Sequence, residues 1–276
     1  TTTDVNGVIG QEYEENPIII SGFQYKKEKS YAKGTLTAAG LELDLYYDRI
    51  EYPYEFRFLE QGTGKEVEEP VKGKARYQAQ VTQGAKNIPG YTLISAESQT
   101  VNIAIEDSEN KAEKNVRTFY YKENEVNFAY KVVGETGCGR VSLSGETVKV
   151  LNGKATGSTP TADKGYRFVG WYEDEACTQL VDASWVDAKK KLTPQKTEKY
   201  GDRKGYAAAT YYAKFEPALV DLTIRKTVDE SFSEGDMKFV FQVKGEDENT
   251  SKIELTVAVA AGNSVTIKGL PAGRYT

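Results

Sequence analysis

Two cysteines, Cys138 and Cys177, and a complete absence of histidine bound the chemistry this 276-residue chain can perform. Without an imidazole there is no Ser-His-Asp or Cys-His nucleophile, no histidine metal ligand and no ordinary proton shuttle near neutral pH. Both cysteines stand beside expected turns in one stretch of alternating sequence. A disulfide between them would close a loop of about 40 residues, worth about 4 kcal/mol in the chain-entropy account. Two separately buried thiols are the alternative. The 41 acidic residues permit many carboxylate pairings of the kind glycoside hydrolysis needs, but no segment offers a cleft-forming frame for them. Gln61-Gly62-Thr63-Gly64-Lys65 lacks the spacing and the following Ser or Thr of a phosphate loop. Asp247-Glu248-Asn249 lacks the glycine of a calcium loop. The expectation is a protein that is not an enzyme and carries no catalytic residue, cofactor or metal.

Composition points the same way. The formal net charge is −5 with a sequence pI near 5.2, so the basic footprint of a nucleic-acid binder is missing. The 19 tyrosines and 25 glycines suit half-buried pleated surfaces broken by turns. No run of 18 apolar residues occurs, so no membrane segment is expected.

The elements that would position any chemistry repeat. Val5-Asn6-Gly7, Ile20-Ser21-Gly22-Phe23 and Leu43-Asp44-Leu45-Tyr46-Tyr47 reappear as Val71-Lys72-Gly73, Ile88-Pro89-Gly90-Tyr91 and Thr118-Phe119-Tyr120-Tyr121. A unit recurring at roughly 70 residues signals an array of small modules. Period-two alternation dominates: Leu41, Leu43, Leu45 and Tyr47 form one stripe, and Tyr52, Tyr54, Phe56 and Phe58 the next, which opens the second copy. Gln61 to Lys65 reads as its hairpin turn, and the first copy lacks this opening strand. One short helix per β-grasp-like module is expected, for example over Val81 to Lys86, and Glu106 to Lys114 reads as a solvated turn.

A new pattern starts at Asn124, with Val126, Phe128, Tyr130 and Val132 alternating, and closes on Ala209 to Phe215. Between them the stretch from Lys189 to Lys204, with seven Lys or Arg, reads as an extended solvated loop, with acidic glycans as its alternative partner. Four segments follow: 1–48, 49–122, 123–217 and 218–276. The fold class expected is mainly β, small β-grasp-like repeats followed by an immunoglobulin-like β-sandwich fragment. Asp48-Arg49, Lys122-Glu123 and Glu216-Pro217 read as short linkers, which favours a monomeric rod. The pairs Tyr46-Tyr47, Tyr120-Tyr121 and Tyr211-Tyr212 should each send one ring outward, free to stack on a sugar or to cap a junction.

Residues 1–122 resemble the mucin-binding-protein (MucBP) repeat of Gram-positive surface proteins, through Val-x-Gly, Gly-Phe or Pro-Gly-Tyr, and the terminal Tyr-Tyr. Residues 124–217 are similar to the internalin B-repeat (the Listeria/Bacteroides repeat), through Gly165-Tyr166-Arg167-Phe168-Val169-Gly170-Trp171-Tyr172 and Tyr211-Tyr212-Ala213-Lys214-Phe215. From 218 the chain resembles collagen-adhesin B-type or pilin-like sandwiches, through Leu222-Thr223-Ile224-Arg225-Lys226 and Leu270-Pro271-Ala272-Gly273-Arg274-Tyr275. These resemblances imply a stalk segment of a secreted, wall-anchored adhesin, extracellular on the bacterial cell surface. A module binding host mucin, another glycan or a glycoprotein is the alternative, and an ancillary region of a secreted carbohydrate-active enzyme is the second. The sandwich families further imply an isopeptide bond with Lys226 as donor, assisted by a buried acid for which Glu254 is the candidate. Desolvation would keep that lysine neutral and that acid protonated. The alternation of Ile253, Leu255 and Val257 places Glu254 outward instead, and a solvated Lys226 is the competing reading.

Overall fold

The computed structural model describes residues 2–106, 114–229 and 237–276. The chain is mainly β and divides into two compact units, residues 1–123 and 124–276. Among the described residues no helix is long and apolar enough to cross a membrane. The turn expected over Glu106 to Lys114 lies largely outside the described residues.

The first unit opens with four short strands, β1 (Glu12–Glu14), β2 (Phe23–Tyr25), β3 (Lys33–Thr35) and β4 (Tyr47–Arg49). β1 pairs antiparallel with β3, and β2 with β4. Leu41, Leu43 and Leu45 do alternate with exposed neighbours, but they are only half-buried. Among the described residues these strands pair only two by two, with no long strand such as the one that opens the second copy, and Gly22 is the one residue between 2 and 50 that is buried.

The second copy has that strand. It consists of β5 (Glu51–Glu60), β6 (Glu66–Arg76), β7 (Gln80–Gly84), β8 (Tyr91–Leu93), β9 (Ser98–Asn102) and β10 (Val116–Glu123). A mixed sheet runs β6-β5-β10-β8, with β5 and β10 parallel at its centre. The expected turn at Gln61 to Lys65 closes β5 onto β6, and Gly62 and Gly64 supply its positive φ angles of 83° and 67°. β7 and β9 form a separate antiparallel pair. Phe56, Phe58, Phe119, Tyr121, Val101 and Ile103 fill the core. The short helix expected over Val81 to Lys86 is not there: most of that segment is β7. Cross-strand pairing with β9, including a 2.8 Å Thr82–Thr100 hydroxyl contact, outweighs a helix signal too short to nucleate.

The second unit begins with β11 (Glu125–Val133), β12 (Gly139–Val141), β13 (Gly145–Lys149), β14 (Pro160–Ala162) and β15 (Tyr166–Tyr172). β16 (Glu198–Tyr200), β17 (Arg203–Gly205) and β18 (Ala209–Pro217) follow. The same sheet plan returns as β13-β11-β18-β15, again with a central parallel pair, β11 and β18. Phe128, Tyr130, Trp171, Leu192, Tyr206, Tyr211, Ala213 and Phe215 pack beneath it. The Lys189 to Lys204 stretch is not simply a solvated loop. It contains the start of a hairpin, β16 with β17, and Lys196 Nζ donates 2.6 Å to the Leu151 carbonyl.

The unit ends with β19 (Leu219–Arg225), β20 (Lys238–Lys244), β21 (Glu254–Ala260) and β22 (Ser264–Pro271). They form two two-stranded ladders, β19 with β22 and β20 with β21.

Candidate functional site

The cysteines sit in different surroundings, Cys138 in the core and Cys177 in a half-buried turn. Cys138 is 1% exposed and belongs to the core cluster that includes Phe215. Burial pushes its thiol up from the ordinary range. Cys177 occupies a turn after β15 with φ +54°, where burial raises its thiol while the Lys214 ammonium opposes that shift. The structure does not join the Cys138–Cys177 pair expected from the sequence: both are free cysteines, Cys138 buried and Cys177 half-buried. The sequence places both beside turns, but not on which face each turn delivers its side chain.

The expected isopeptide pair is also separated. Lys226 follows β19 directly, and its Nζ sits 4.8 Å from the centroid of the Phe239 ring. Glu254 opens β21 opposite Lys244, whose Nζ is 2.9 Å from Glu254 Oε1. Phe239 and Lys244 are five residues apart on β20, about 17 Å at strand spacing. Glu254 is exposed, and the Lys244 ammonium holds its carboxyl below the ordinary glutamate range. The structure places Glu254 as an exposed, ion-paired carboxylate and does not bring it beside Lys226. The outward direction read from its alternation is what the structure shows.

The tyrosine pairs divide as alternation requires. Tyr121 is 1% exposed and Tyr120 44%; Tyr211 is buried and Tyr212 half-buried. Tyr120 registers with Leu59 on the outer face of its sheet. Tyr120 does not line the groove of about 310 Å³ in the same unit, which is formed by Tyr54, Glu55, Arg57, Lys72 and Asn115, among others. Three of its charges pair: Arg57 lies 2.8 Å and Lys72 3.4 Å from the Glu55 carboxylate. The hydrogen bond from Arg57 leads in lowering the Glu55 pKa.

What the sequence reading missed is the wiring of the junctions. The dipeptides Asp48-Arg49, Lys122-Glu123 and Glu216-Pro217 are not linkers but the last residues of β4, β10 and β18. A single residue separates each from the next strand: Ile50, Asn124 and Ala218. The Ile50 N–H donates 2.9 Å to the Gly22 carbonyl, and its own carbonyl accepts from Tyr77 N–H at 2.8 Å. Ala218 repeats this, donating 2.8 Å to Gly165 and accepting from Ala272 at 2.6 Å.

Gly22 and Gly165, which accept from Ile50 and Ala218, share one backbone geometry with Gly90. Gly22, Gly90 and Gly165 have φ of +83°, +86° and +86°, and the aromatic after each pairs with the last residue of the closing strand. Phe23 meets Tyr77 edge-on at 6.0 Å, and the Tyr166 hydroxyl lies 2.8 Å from Asn249 Oδ1. The Gly-aromatic spacing was visible in the sequence as a repeat; its role at the joint was not.

No family model matches the sequence, and no curated protein matches it. Among solved structures the chain is similar to the Bacillus anthracis TIE protein, at 8% identity and a TM-score of 0.40. The alignment covers 92% of this chain and 52% of that one, so the chain spans about half the length of that protein. A likeness at this level carries no argument about fold or function.

Proposed function

We propose that the chain is a structural stalk segment of a secreted, wall-anchored bacterial surface adhesin, built from β-grasp-like MucBP and internalin B-repeat modules and a sandwich fragment. The observation that carries this reading is the succession of small sheets joined through one residue each, Ile50, Asn124 and Ala218. Connections that short suit spacing and display. Two junction residues are hydrogen-bonded on both sides, which leaves little slack at those points. The competing reading, in which the repeats contact host mucin or another glycan, draws on the exposed Tyr120 ring.

Antibodies against residues 124–276 test the stalk reading on intact cells of the producing organism. Labelling without permeabilisation, together with no saturable signal from the purified chain on a mucin and glycan array, is the expected result. Labelling only after the cells are opened overturns it, and saturable glycan binding favours the competing reading.

A further inference from the structure

The first and last strands of both four-stranded sheets lie side by side and run parallel. β5 registers with β10 over six residue pairs, Glu55–Val116 to Glu60–Tyr121. β11 registers with β18 over six, Phe128–Ala209 to Val133–Lys214. A strand drawn lengthwise past a parallel neighbour loads every hydrogen bond between them at once. A strand peeled away sideways loads them one at a time. Because the chain enters each sheet on one central strand and leaves on the other, tension along the backbone arrives as shear.

Two further features fit this arrangement. A stacked aromatic pair spans each ladder at registered positions: Phe58 on Phe119, with centroids 5.4 Å apart and planes within 7°, and Tyr130 on Tyr211 at 6.1 Å and 23°. Sliding either ladder by one residue would break that stack and turn the buried rings outward. The one-residue connections at Ile50, Asn124 and Ala218 also deliver load directly onto the clamped strands, with no loop to extend first.

We infer that β5–β10 and β11–β18 are mechanical shear clamps, the elements that resist tension applied along the chain. This goes beyond the stalk reading, since the clamps hold or fail in the purified protein wherever it is displayed.

Single-molecule pulling on the whole chain tests it. Handles at the two ends should give two high-force events. Opening the first clamp frees residues 55–121, about 240 Å when extended, and opening the second frees residues 128–214, about 310 Å, each less the folded end separation. Pulling direction then isolates the cause without altering either core. An azide-bearing residue replacing Glu51 and another replacing Lys122 put the handles at opposite ends of the first clamp. Handles at positions 61 and 122 put both at the same end, so the strands peel apart. All three side chains are exposed. The rupture force should fall severalfold between the 51–122 and the 61–122 pairs. Equal forces in the two geometries, or no resolvable force peak from 51–122, would overturn the inference.

Discussion

Glu146 shows how one side chain in this protein is defined by what points at it. It accepts the Tyr130 hydroxyl at 2.7 Å and the backbone amides of Thr156 and Gly157 at 2.7 and 2.8 Å. Burial by itself would raise its pKa, but those donors together outweigh burial and hold the carboxyl below the ordinary value of 4.5. The folded protein therefore binds this proton more weakly than the unfolded chain. The stabilisation is fully present above the unfolded value and drains away as pH falls through the lower folded value. Glu146→Gln should cost about 1–3 kcal/mol at pH 7, because the amide offers the donors a weaker acceptor and turns an N–H toward at least one of them. Urea unfolding at pH 7 and at pH 3 checks this: the gap between wild type and variant should narrow at the lower pH, and a constant gap would show that ionisation has no part in it. Nothing in the sequence marked Glu146. Its three donors come from two different segments, and only the fold brings them together. For Glu254 the outward facing was legible from its alternation, but its pairing with Lys244, away from Lys226, was not.

Strands were the most legible elements. The stripes at Leu41 to Tyr47 and Tyr52 to Phe58 face as their alternation says, because inside and outside on a sheet follow a period of two. Where no neighbouring strand could be foreseen, reading failed: Val81 to Lys86 became β7 only because β9 lies beside it, and the lysine-rich stretch holds β16 because β17 folds back on it. The strand ends were misread by one or two residues for a related reason. Proline and charged residues suggest breaks, yet Arg49, Glu123 and Pro217 all sit in register with the aromatic of a Gly-aromatic turn. That turn depends on its glycine. A β-carbon on Gly165, at φ +86°, would collide with the Asn249 side chain, and the left-handed backbone adds about 1–2 kcal/mol for any residue with a side chain. Gly165→Ala should therefore destabilise the second unit by about 1–3 kcal/mol and shift the Asn249 side-chain amide resonances. An unchanged melting temperature with unmoved Asn249 signals would mean that the turn is not under this constraint.

At the scale of the whole molecule, apolar burial is uneven, and that sets how the chain should come apart. The second copy keeps its Phe56, Phe58 and Phe119 core within the first unit, and the Phe128, Trp171 and Leu192 cluster lies within the second. Among the described residues, 2–50 add only Gly22 to the buried set, and the segment after Pro217 adds Val243, Val259, Leu270 and Thr250. Each unit thus holds one main core with thinner sheets attached to it, and such cores melt as separate cooperative blocks. Differential scanning calorimetry of the full chain should show two transitions, and separately expressed 1–123 and 124–276 should each reproduce one of them within a few degrees. Phe119→Ala, which removes a fully buried ring at a cost of about 3–5 kcal/mol, should lower only the transition assigned to 1–123. A single transition in the full chain that shifts as a whole with Phe119→Ala, or a fragment that fails to fold alone, would mean that stability is shared across Asn124 and that the division into two independent cores is wrong.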